Sequence, residues 1–391
     1  MRVIHRLTTT AVTSVAVGAI IAAAAVAASP RAEARDAAPA GGFGTTSTVG
    51  STVPANGDLN PYGVAVVGHS QGKLVRGDVL VSNFNNSDNQ QGTGTTIVSV
   101  APSDKTRVFA QISASGLPGA CPGGIGLTTA LSILNGGWVV VGSLPTAMGN
   151  PSSSQAGCLL VLNSQGKVVE AFSGHGINGP WDMTAVNFGH VAELFVTNVL
   201  NGTVAAATAA GIDTTTTPGP TVNKGTVLRL VVTTPSDGYG VPRLLGADVI
   251  ASGFGEHTDP AALVIGPTGV GVARNGTLYV ADTAGNRITA IPDALFRAGS
   301  AGTGHTVTAG GFLNGPLGLA VAPGGDILTV NSGDGFLVES TPFGHQVERA
   351  SLDSSGSPPG AGALFGLAVA PGGNAIYYVD DATNTLNLLH R

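Results

Sequence analysis

The sequence has little charge and few aromatic residues for its length. Of its 391 residues only 10% are charged and 5% are aromatic, and the formal net charge is −6. This balance offers no basic face to a nucleic acid, so we expect no nucleic-acid partner. No long amphipathic helix is present, and only residues 11–28 approach the length of a membrane span.

Familiar catalytic motifs are missing as well. The sequence contains no GxSxG, HExxH, P-loop or nucleotide fingerprint. Its GxGxxG-like pieces lie in hairpins and not at strand-to-helix turns, so they do not indicate a phosphate site. These absences favour a protein without catalysis over an enzyme. What is abundant is glycine, with 59 residues, and proline, with 23, a composition typical of short strands joined by many turns.

One stretch organises the chain, residues 269–291, GVGVARNGTLYVADTAGNRITAI. Asn275-Gly276 and Gly285-Asn286 predict tight turns that separate three short strands. The unit recurs six times, with first strands that begin near Tyr62, Ile125, Trp181, Thr268, Leu317 and Phe365. A fourth strand follows in each of the first five units. The sequence therefore predicts an all-β fold, a six-bladed β-propeller with four-stranded antiparallel blades.

The sixth unit is one strand short, because the chain stops soon after TNTLNLLH. Residues 45–53, TTSTVGSTV, precede the first unit as a fourth strand would. We expect this N-terminal strand to close the ring beside the C-terminal one, which removes two exposed sheet edges. The predicted organisation is a signal peptide at 1–34, a disordered leader at 35–44 and the propeller at 45–391.

The N-terminus is typical of an export signal. Arg2, His5 and Arg6 form a positive region, residues 11–28 are apolar, and residues 32–34 form an A-x-A cleavage site. An uncleaved membrane anchor is the alternative. The protein is expected in the periplasm, outside the cell or on the surface of a bacterium.

The two cysteines fall on one face of the predicted propeller. We call the top face the one that carries the second-to-third turns and the crossings between blades. Cys121 lies in the crossing from blade 1 to blade 2, and Cys158 lies in the second-to-third turn of blade 2. In an exported protein this placement predicts a disulfide, with two buried thiols as the alternative.

The residues just before the six first strands should surround the top of the central channel. We name them the collar: Tyr62, Ile125, Trp181, Thr268, Leu317 and Phe365. Three are aromatic and two are aliphatic, so the collar could bind a ligand by stacking. The alternative is that the collar fills the channel as part of the core.

One residue after the collar breaks the repeat, because Asp182 stands where five blades carry glycine. It could act as a general base or bind a metal, or it could cap a turn. His175 and His257 lie in crossings on the top face, with Glu256 beside His257. The catalytic candidates are Asp182, Glu256 and His257. The metal candidates are His175, His257 and Asp182, which would hold one divalent ion, zinc or calcium.

The organising stretch resembles the NHL repeat, which combines an xGxAV strand, an LYVAD strand and NxRI. Regucalcin-like gluconolactonases are six-bladed relatives whose channel metal is held by carboxylate and Asn ligands at collar positions. No collar residue here is a carboxylate or an amide, so the resemblance does not imply that site. Peptidyl-hydroxyglycine lyases need three His ligands, and only two are suitably placed. Streptogramin lyases use His and Glu, as His257 and Glu256 could.

From these features we expect an exported, monomeric propeller that binds a protein, peptide or glycan on its top face without catalysis. It would contact no membrane beyond the export signal. The alternative is a metal-dependent hydrolase or lyase with a His/carboxylate site at the channel mouth. The sequence does not identify the ligand.

Overall fold

The fold was analysed in a computed structural model, which describes residues 43–236 and 239–391. Six antiparallel sheets form the six blades of a β-propeller, as the repeats predict. Their inner strands contact one another in cyclic order around a central channel. Among the described residues no helix is long and apolar enough to cross a membrane. The predicted signal peptide lies outside the described residues.

Strand β1 is Thr45–Ser51. Blade 1 consists of β2 (Leu59–Val66), β3 (Val79–Asn85), β4 (Thr96–Val100) and β5 (Thr106–Gln111). Blade 2 consists of β6 (Leu127–Leu134), β7 (Trp138–Ser143), β8 (Cys158–Leu162) and β9 (Val168–Phe172). Blade 3 consists of β10 (Gly179–Phe188), β11 (Val191–Val199), helix α1 (Thr203–Ala209), β12 (Val222–Thr233), β13 (Leu244–Asp259) and β14 (Leu263–Ile265).

Blade 4 consists of β15 (Pro267–Val272), β16 (Leu278–Asp282), β17 (Arg287–Ile291) and β18 (His305–Ala309). Blade 5 consists of β19 (Pro316–Val321), β20 (Ile327–Asn331), β21 (Phe336–Ser340) and β22 (Gln346–Ser351). Blade 6 consists of β23 (Leu364–Val369), β24 (Ala375–Asp380) and β25 (Thr385–His390). Two short 3-10 helices occupy Asn135–Gly137 and Pro151–Ser153.

The ring closes between the two ends of the folded chain. β1 pairs antiparallel with β25, from Thr45 opposite His390 to Ser51 opposite Thr385. The predicted closing strand is therefore present, and it completes blade 6 as a four-stranded sheet. Phe43, which the sequence placed in the leader, is buried against blade 6, because its ring joins the apolar cluster of that blade.

Local turn chemistry explains the repeated strands. Gly276 takes a φ of 81°, and the Asn275 side chain accepts a hydrogen bond from the Thr277 amide at 3.0 Å. At the end of β16, one carboxylate oxygen of Asp282 accepts the Gly285 amide at 3.1 Å, and the other contacts Arg287 at 2.8 Å. The Asx residue at the end of this second strand thus caps the next turn, as its position in the sequence predicts.

Glycine follows the collar because neighbouring blades approach too closely for a side chain. A Cβ on Gly318 would lie 1.9 Å from the Phe365 carbonyl oxygen of the next blade. A Cβ on Gly366 would lie 2.0 Å from the Tyr62 carbonyl oxygen. These distances are far below van der Waals contact, so the repeat glycine is a packing requirement of the ring.

Blade 3 departs most from the repeat. Its sheet has five strands, because β13 turns back as β14 from Asp259 to Leu263. Helix α1 lies in the connection between β11 and β12, and a 16-residue β13 extends beyond the other fourth strands. The sequence predicted neither the hairpin nor the helix.

The predicted disulfide between Cys121 and Cys158 is present, and it ties the crossing into blade 2 to the start of β8. Cys158 is fully buried in an apolar cluster that the blade 1 and blade 2 strands share. The bridge therefore joins the two blades as well as the two segments.

Candidate active site

All of the collar side chains except Ile125 are buried, and they close the channel at the top face. Tyr62 stacks on Phe365 with ring centroids 4.0 Å apart and on Trp181 at 5.7 Å. These three residues and Leu317 are at most 5% exposed, and Thr268 is fully buried. The aromatic rings thus pack against one another as a plug between the channel and the top face.

The hairpin of β13 and β14 lies over this plug. Leu263 and Val264 are fully buried in the same apolar cluster as Tyr62. The Trp181 indole N–H donates to the Val264 carbonyl oxygen at 3.0 Å. The Gln91 side chain donates to the Pro260 carbonyl oxygen at 3.0 Å, which ties the hairpin turn to blade 1. The extra strand of blade 3 therefore explains why the collar is buried.

In blade 2 the collar position belongs to Thr128. The prediction of Ile125, which came from the repeat, is wrong. Leu127 pairs with Ser143 and Leu131 with Val141, so β6 holds one residue more between its paired positions than the other first strands. The Thr128 carbonyl oxygen accepts the Ser82 hydroxyl at 2.7 Å, as the Thr268 carbonyl oxygen accepts Thr197. Ile125 lies before β6 and packs in the cluster around the disulfide.

Beneath the collar lies a channel of about 370 Å³ that the first strands of all six blades line. Its lining residues toward the first-to-second turns, such as Val66, Ile133 and Val321, are partly exposed. The collar at the other end is buried. The channel is therefore a pocket that is closed at the top and opens on the opposite face, which we call the bottom face.

Asp182 lies at the closed end of this pocket. It is 8% exposed, and it is the one titratable side chain among the described lining residues. One carboxylate oxygen accepts the Met183 amide at 2.8 Å, and the other accepts the Val270 amide of the next blade at 3.1 Å. Burial raises the pKa of Asp182 from 3.8 to about 7, although both amide hydrogen bonds lower it.

A second polar residue lies beside the pocket in the neighbouring blade, although its hydroxyl is not exposed to the pocket. Thr129 follows the blade 2 collar residue, so it occupies the ring position that Asp182 occupies in blade 3. Its hydroxyl is buried and has no hydrogen-bond partner among the described residues. Sequence analysis missed Thr129 because Gly126 imitates the repeat glycine three residues earlier. The strand pairing of β6 with β7 is what reveals it.

The predicted metal ligands do not come together. His175 is exposed in the turn before β10, with a φ of 52°. His257 lies on the hairpin over the plug, where its Nε2 is 3.9 Å from an Asp259 oxygen. Burial lowers the pKa of His257, and the Asp259 charge opposes that shift. Asp182 is on the channel side of the plug. Within residues 43–236 and 239–391 no group of three His, Cys, Asp or Glu side chains could hold a metal.

Glu256 serves the blade 3 insertion and does not line the channel. It is fully buried near the end of β13, and it accepts the Asn201 amide at 2.8 Å. Burial raises the pKa of Glu256 to about 7, while its hydrogen bonds with Asn201 and the charge of Lys224 lower it. This carboxylate holds the start of the connection that carries α1.

Fold and site together define a six-bladed β-propeller with a buried carboxylate at the closed end of its channel. Several solved structures share this architecture. A gluconolactonase from Xanthomonas campestris has a TM-score of 0.51 at 13% identity, over 88% of this chain and 89% of that chain. Regucalcin, a calcium-binding protein from Agrobacterium tumefaciens, has a TM-score of 0.50 at 12% identity, over 88% of this chain and 93% of that chain.

An oxidoreductase from Thermus thermophilus, described as a glucose dehydrogenase, has a TM-score of 0.50 at 16% identity. That match covers 88% of this chain and 99% of that chain. At such identities the likeness establishes the fold. No protein-family model matches the chain, and no curated protein matches it in sequence. The NHL resemblance is therefore confirmed by no family match.

The comparisons correct one expectation. The absence of catalytic motifs favoured a protein without catalysis, and this is wrong, because the structural neighbours include proteins named as a gluconolactonase and a glucose dehydrogenase. The enzymatic alternative is the better supported one. A divalent metal, which regucalcin binds, does not fit the residues at this channel. The single carboxylate there already accepts two amides, and calcium takes six to eight oxygen ligands.

Proposed function

We propose that the protein is a hydrolase or lyase whose proton-transfer residue is Asp182 at the closed end of the central channel. The observation that carries the proposal is the isolation of this carboxylate. It is the one titratable group among the described residues that line the pocket, and it stands where four blades have glycine. The carboxylate borders a pocket of about 370 Å³, so a substrate in that pocket would meet it.

The chemistry follows from the pKa. A general base works best when its pKa lies near the working pH, and burial brings the pKa of Asp182 to about 7. Each carboxylate oxygen accepts one amide and keeps lone-pair capacity for a proton from substrate or water. The two amides belong to blades 3 and 4, so they fix the carboxylate while it gains or loses the proton.

Export completes the proposal. The disulfide between Cys121 and Cys158 fits a protein that folds in an oxidising compartment. We propose that the enzyme acts outside the cytoplasm, which agrees with the N-terminal signal that the sequence predicts.

The test is the pH dependence of turnover in an Asp182→Asn variant. A panel of uncharged esters and of compounds with an acidic C–H bond next to a leaving group would first identify a substrate. For wild type, kcat/KM should rise with pH through an apparent pKa near 7. Asp182→Asn should lower kcat/KM by about 100-fold or more and abolish that pH dependence. Glu256→Gln is the matched control, because Glu256 has a similarly raised pKa outside the channel. A kcat/KM of Asp182→Asn within tenfold of the wild-type value (about 1.4 kcal/mol) would contradict the proposal.

A further inference from the structure

We propose that the bottom face of the propeller docks onto a lipid membrane that contains anionic headgroups. The proposal goes beyond the proposed function, because it concerns an outer surface and not the chemistry of the channel. Two independent observations carry it. Exposed aromatic side chains are concentrated in the turns of this face, and so are exposed basic side chains. The proposal departs from the expectation, drawn from composition alone, that no membrane is contacted.

The most exposed aromatic residues all lie on the bottom face. Tyr239, Phe296 and Phe343 are 87%, 84% and 88% exposed. Each lies in the third-to-fourth turn of its blade, so blades 3, 4 and 5 present one aromatic ring apiece. Phe188, which ends β10 on the same face, is also exposed. A single exposed aromatic residue is ordinary, but one in each of three consecutive equivalent turns indicates an interaction surface.

The top face has no comparable set of exposed rings among the described residues. Phe312 is exposed there, but the Arg349 guanidinium lies 5.0 Å from the centroid of its ring. Tyr62 and Trp181 are buried in the collar. Exposed aromatic surface is therefore a feature of the face on which the channel opens.

Charge divides the two faces in the same way. Every lysine and arginine in a turn between the described strands lies on the bottom face. The exposed ones are Lys73, Arg76, Lys105, Lys167, Arg243 and Arg274. The turns of the top face carry aspartates instead, among them Asp88, Asp213 and Asp334. The net charge of −6 conceals this basic face, because charges of opposite sign lie on opposite faces.

The acidic residues of the bottom face do not cancel its charge. Asp104 and Asp293 are the exposed acidic residues among the described residues of its turns. Asp78 is buried and forms an ion pair with Arg107 of β5, so it is not available to the turn lysines. Exposed basic residues thus outnumber exposed acidic residues on this face. An anionic surface is attracted to the bottom face and repelled by the top face.

A lipid surface fits this face better than a second copy of the chain does. Two bottom faces would bring basic turns against basic turns, whereas anionic headgroups supply the opposite charge. The three most exposed rings belong to separate blades, so they form separate points of contact and not one packed patch. Such points suit a fluid interface, where aromatic side chains insert at the level of the headgroups. Docking would bring the mouth of the channel to the lipid surface.

The experiment is co-sedimentation with vesicles. The chain from residue 35 onward contains the complete propeller and lacks the predicted export signal, which would itself bind lipid. Vesicles of phosphatidylcholine alone are compared with an equal mixture of phosphatidylcholine and phosphatidylglycerol. The membrane partition coefficient should be at least about tenfold larger for the mixture, and it should fall as salt is added.

The aromatic contribution has a matched control. Phe343→Ser should lower the partition coefficient on the order of tenfold, because the ring no longer enters the interface. The same hydrogen-bonded turn carries Ser103 in blade 1 and Gln165 in blade 2 at this position, so a polar residue is compatible with the fold. Met148→Ser removes an apolar side chain that is 79% exposed on the top face, and it should leave binding unchanged.

The contribution of charge is tested at constant net charge. Replacing Lys105 and Lys167 by glutamine should lower the partition coefficient about 25-fold, since one basic residue near an anionic surface contributes about fivefold. Adding Asp88→Lys returns the net charge to that of wild type, but it places the new charge on the top face. Binding should therefore remain weak in the triple variant.

Several results would overturn the proposal. Equal binding to the two vesicle types would exclude attraction to anionic headgroups. An effect of the lysine variants without an effect of Phe343→Ser would indicate a soluble polyanion and not a membrane. Recovery of binding by Asp88→Lys would show that net charge and not this face is responsible. A lipid-free dimer in light scattering that Phe343→Ser dissociates would identify a second copy of the chain as the occupant. Vesicle binding is measured without turnover, so its failure leaves the proposed function of Asp182 untouched.

Discussion

Replacing Asp182 by asparagine should change how the stability of the protein depends on pH. The wild-type carboxylate has a folded-state pKa of about 7, raised by burial from 3.8. Between pH 3.8 and about pH 7 the folded state keeps a proton on Asp182 that the unfolded chain has released. Stability therefore falls as pH rises through this window, and the loss is complete above about pH 7. Asparagine does not titrate, so the variant lacks this contribution.

The size of the effect follows from the same shift. A pKa raised from 3.8 to about 7 corresponds to about 4 kcal/mol between the two ends of the window, as an upper limit. Asparagine also loses something that does not depend on pH. Its side chain has one acceptor oxygen, whereas the carboxylate accepts both the Met183 and Val270 amides. An unpaired amide costs about 1–3 kcal/mol, so the absolute stabilities of the two proteins are a poor test.

The assay is therefore the difference between two denaturant titrations, followed from about pH 4 to about pH 8 with the disulfide intact. The free energy of unfolding of Asp182→Asn minus that of wild type should rise by up to about 4 kcal/mol across this range. Glu256 and Asp381 also have pKa values raised by burial to about 7, but they are present in both proteins and cancel. Asp88→Asn, at an exposed loop position, is the control for the loss of one carboxylate. Parallel curves for wild type and Asp182→Asn would refute the burial argument.

Three further predictions concern the scaffold. Replacing Cys121 and Cys158 by serine should lower the free energy of unfolding by roughly 4 kcal/mol in the chain-entropy model, because the bridge spans 37 residues. A change below about 1 kcal/mol in denaturant titrations would contradict this prediction. Deletion of residues 45–53 should expose the edge of β25 and cause aggregation in light scattering, and a soluble, folded deletion variant would contradict the ring closure. Thr197→Val should lower the free energy of unfolding by about 1–3 kcal/mol, because the Thr268 carbonyl oxygen and the Asp182 amide both lose the Thr197 hydroxyl as a partner. A denaturation midpoint equal to that of wild type would show that this contact between blades does not contribute to stability.

The sequence was sufficient for the parts of the fold that repeat. Turn residues such as Asn275-Gly276 and the Asx residues at second-strand ends recur with the strands, so six blades, the closing strand and the disulfide could be predicted. Register could not be predicted in the same way. β6 carries one extra residue before Leu131, and the chance match of Gly126 to the repeat moved the assignment from Thr128 to Ile125. A strand bulge leaves no fixed trace in composition, so only pairing shows it.

Side-chain chemistry was harder still to predict. Asp182 was visible because it interrupts a row of glycines, but its pKa depends on burial and on an amide from the next blade. The aromatic residues of the collar are compatible with a binding surface and with a buried core. They are buried because the hairpin of β13 and β14 covers them. That hairpin is formed by a stretch with no counterpart in the other blades, so the repeat gives no expectation for it.

The departures from the repeat are concentrated in one sector of the ring. Blade 2 carries the disulfide and the extra residue of β6, and blade 3 carries Asp182, α1 and the hairpin that covers the collar. Neutral changes would be expected in surface loops and on outer strands, because these regions tolerate variation. Instead Thr129 and Asp182 replace glycine on the inner strands, at positions where the other blades leave no room for a side chain. The hairpin then closes the top of the same pocket. The carboxylate and the hairpin that covers the collar thus lie in one sector, so a ligand of the proposed site would enter from the bottom face.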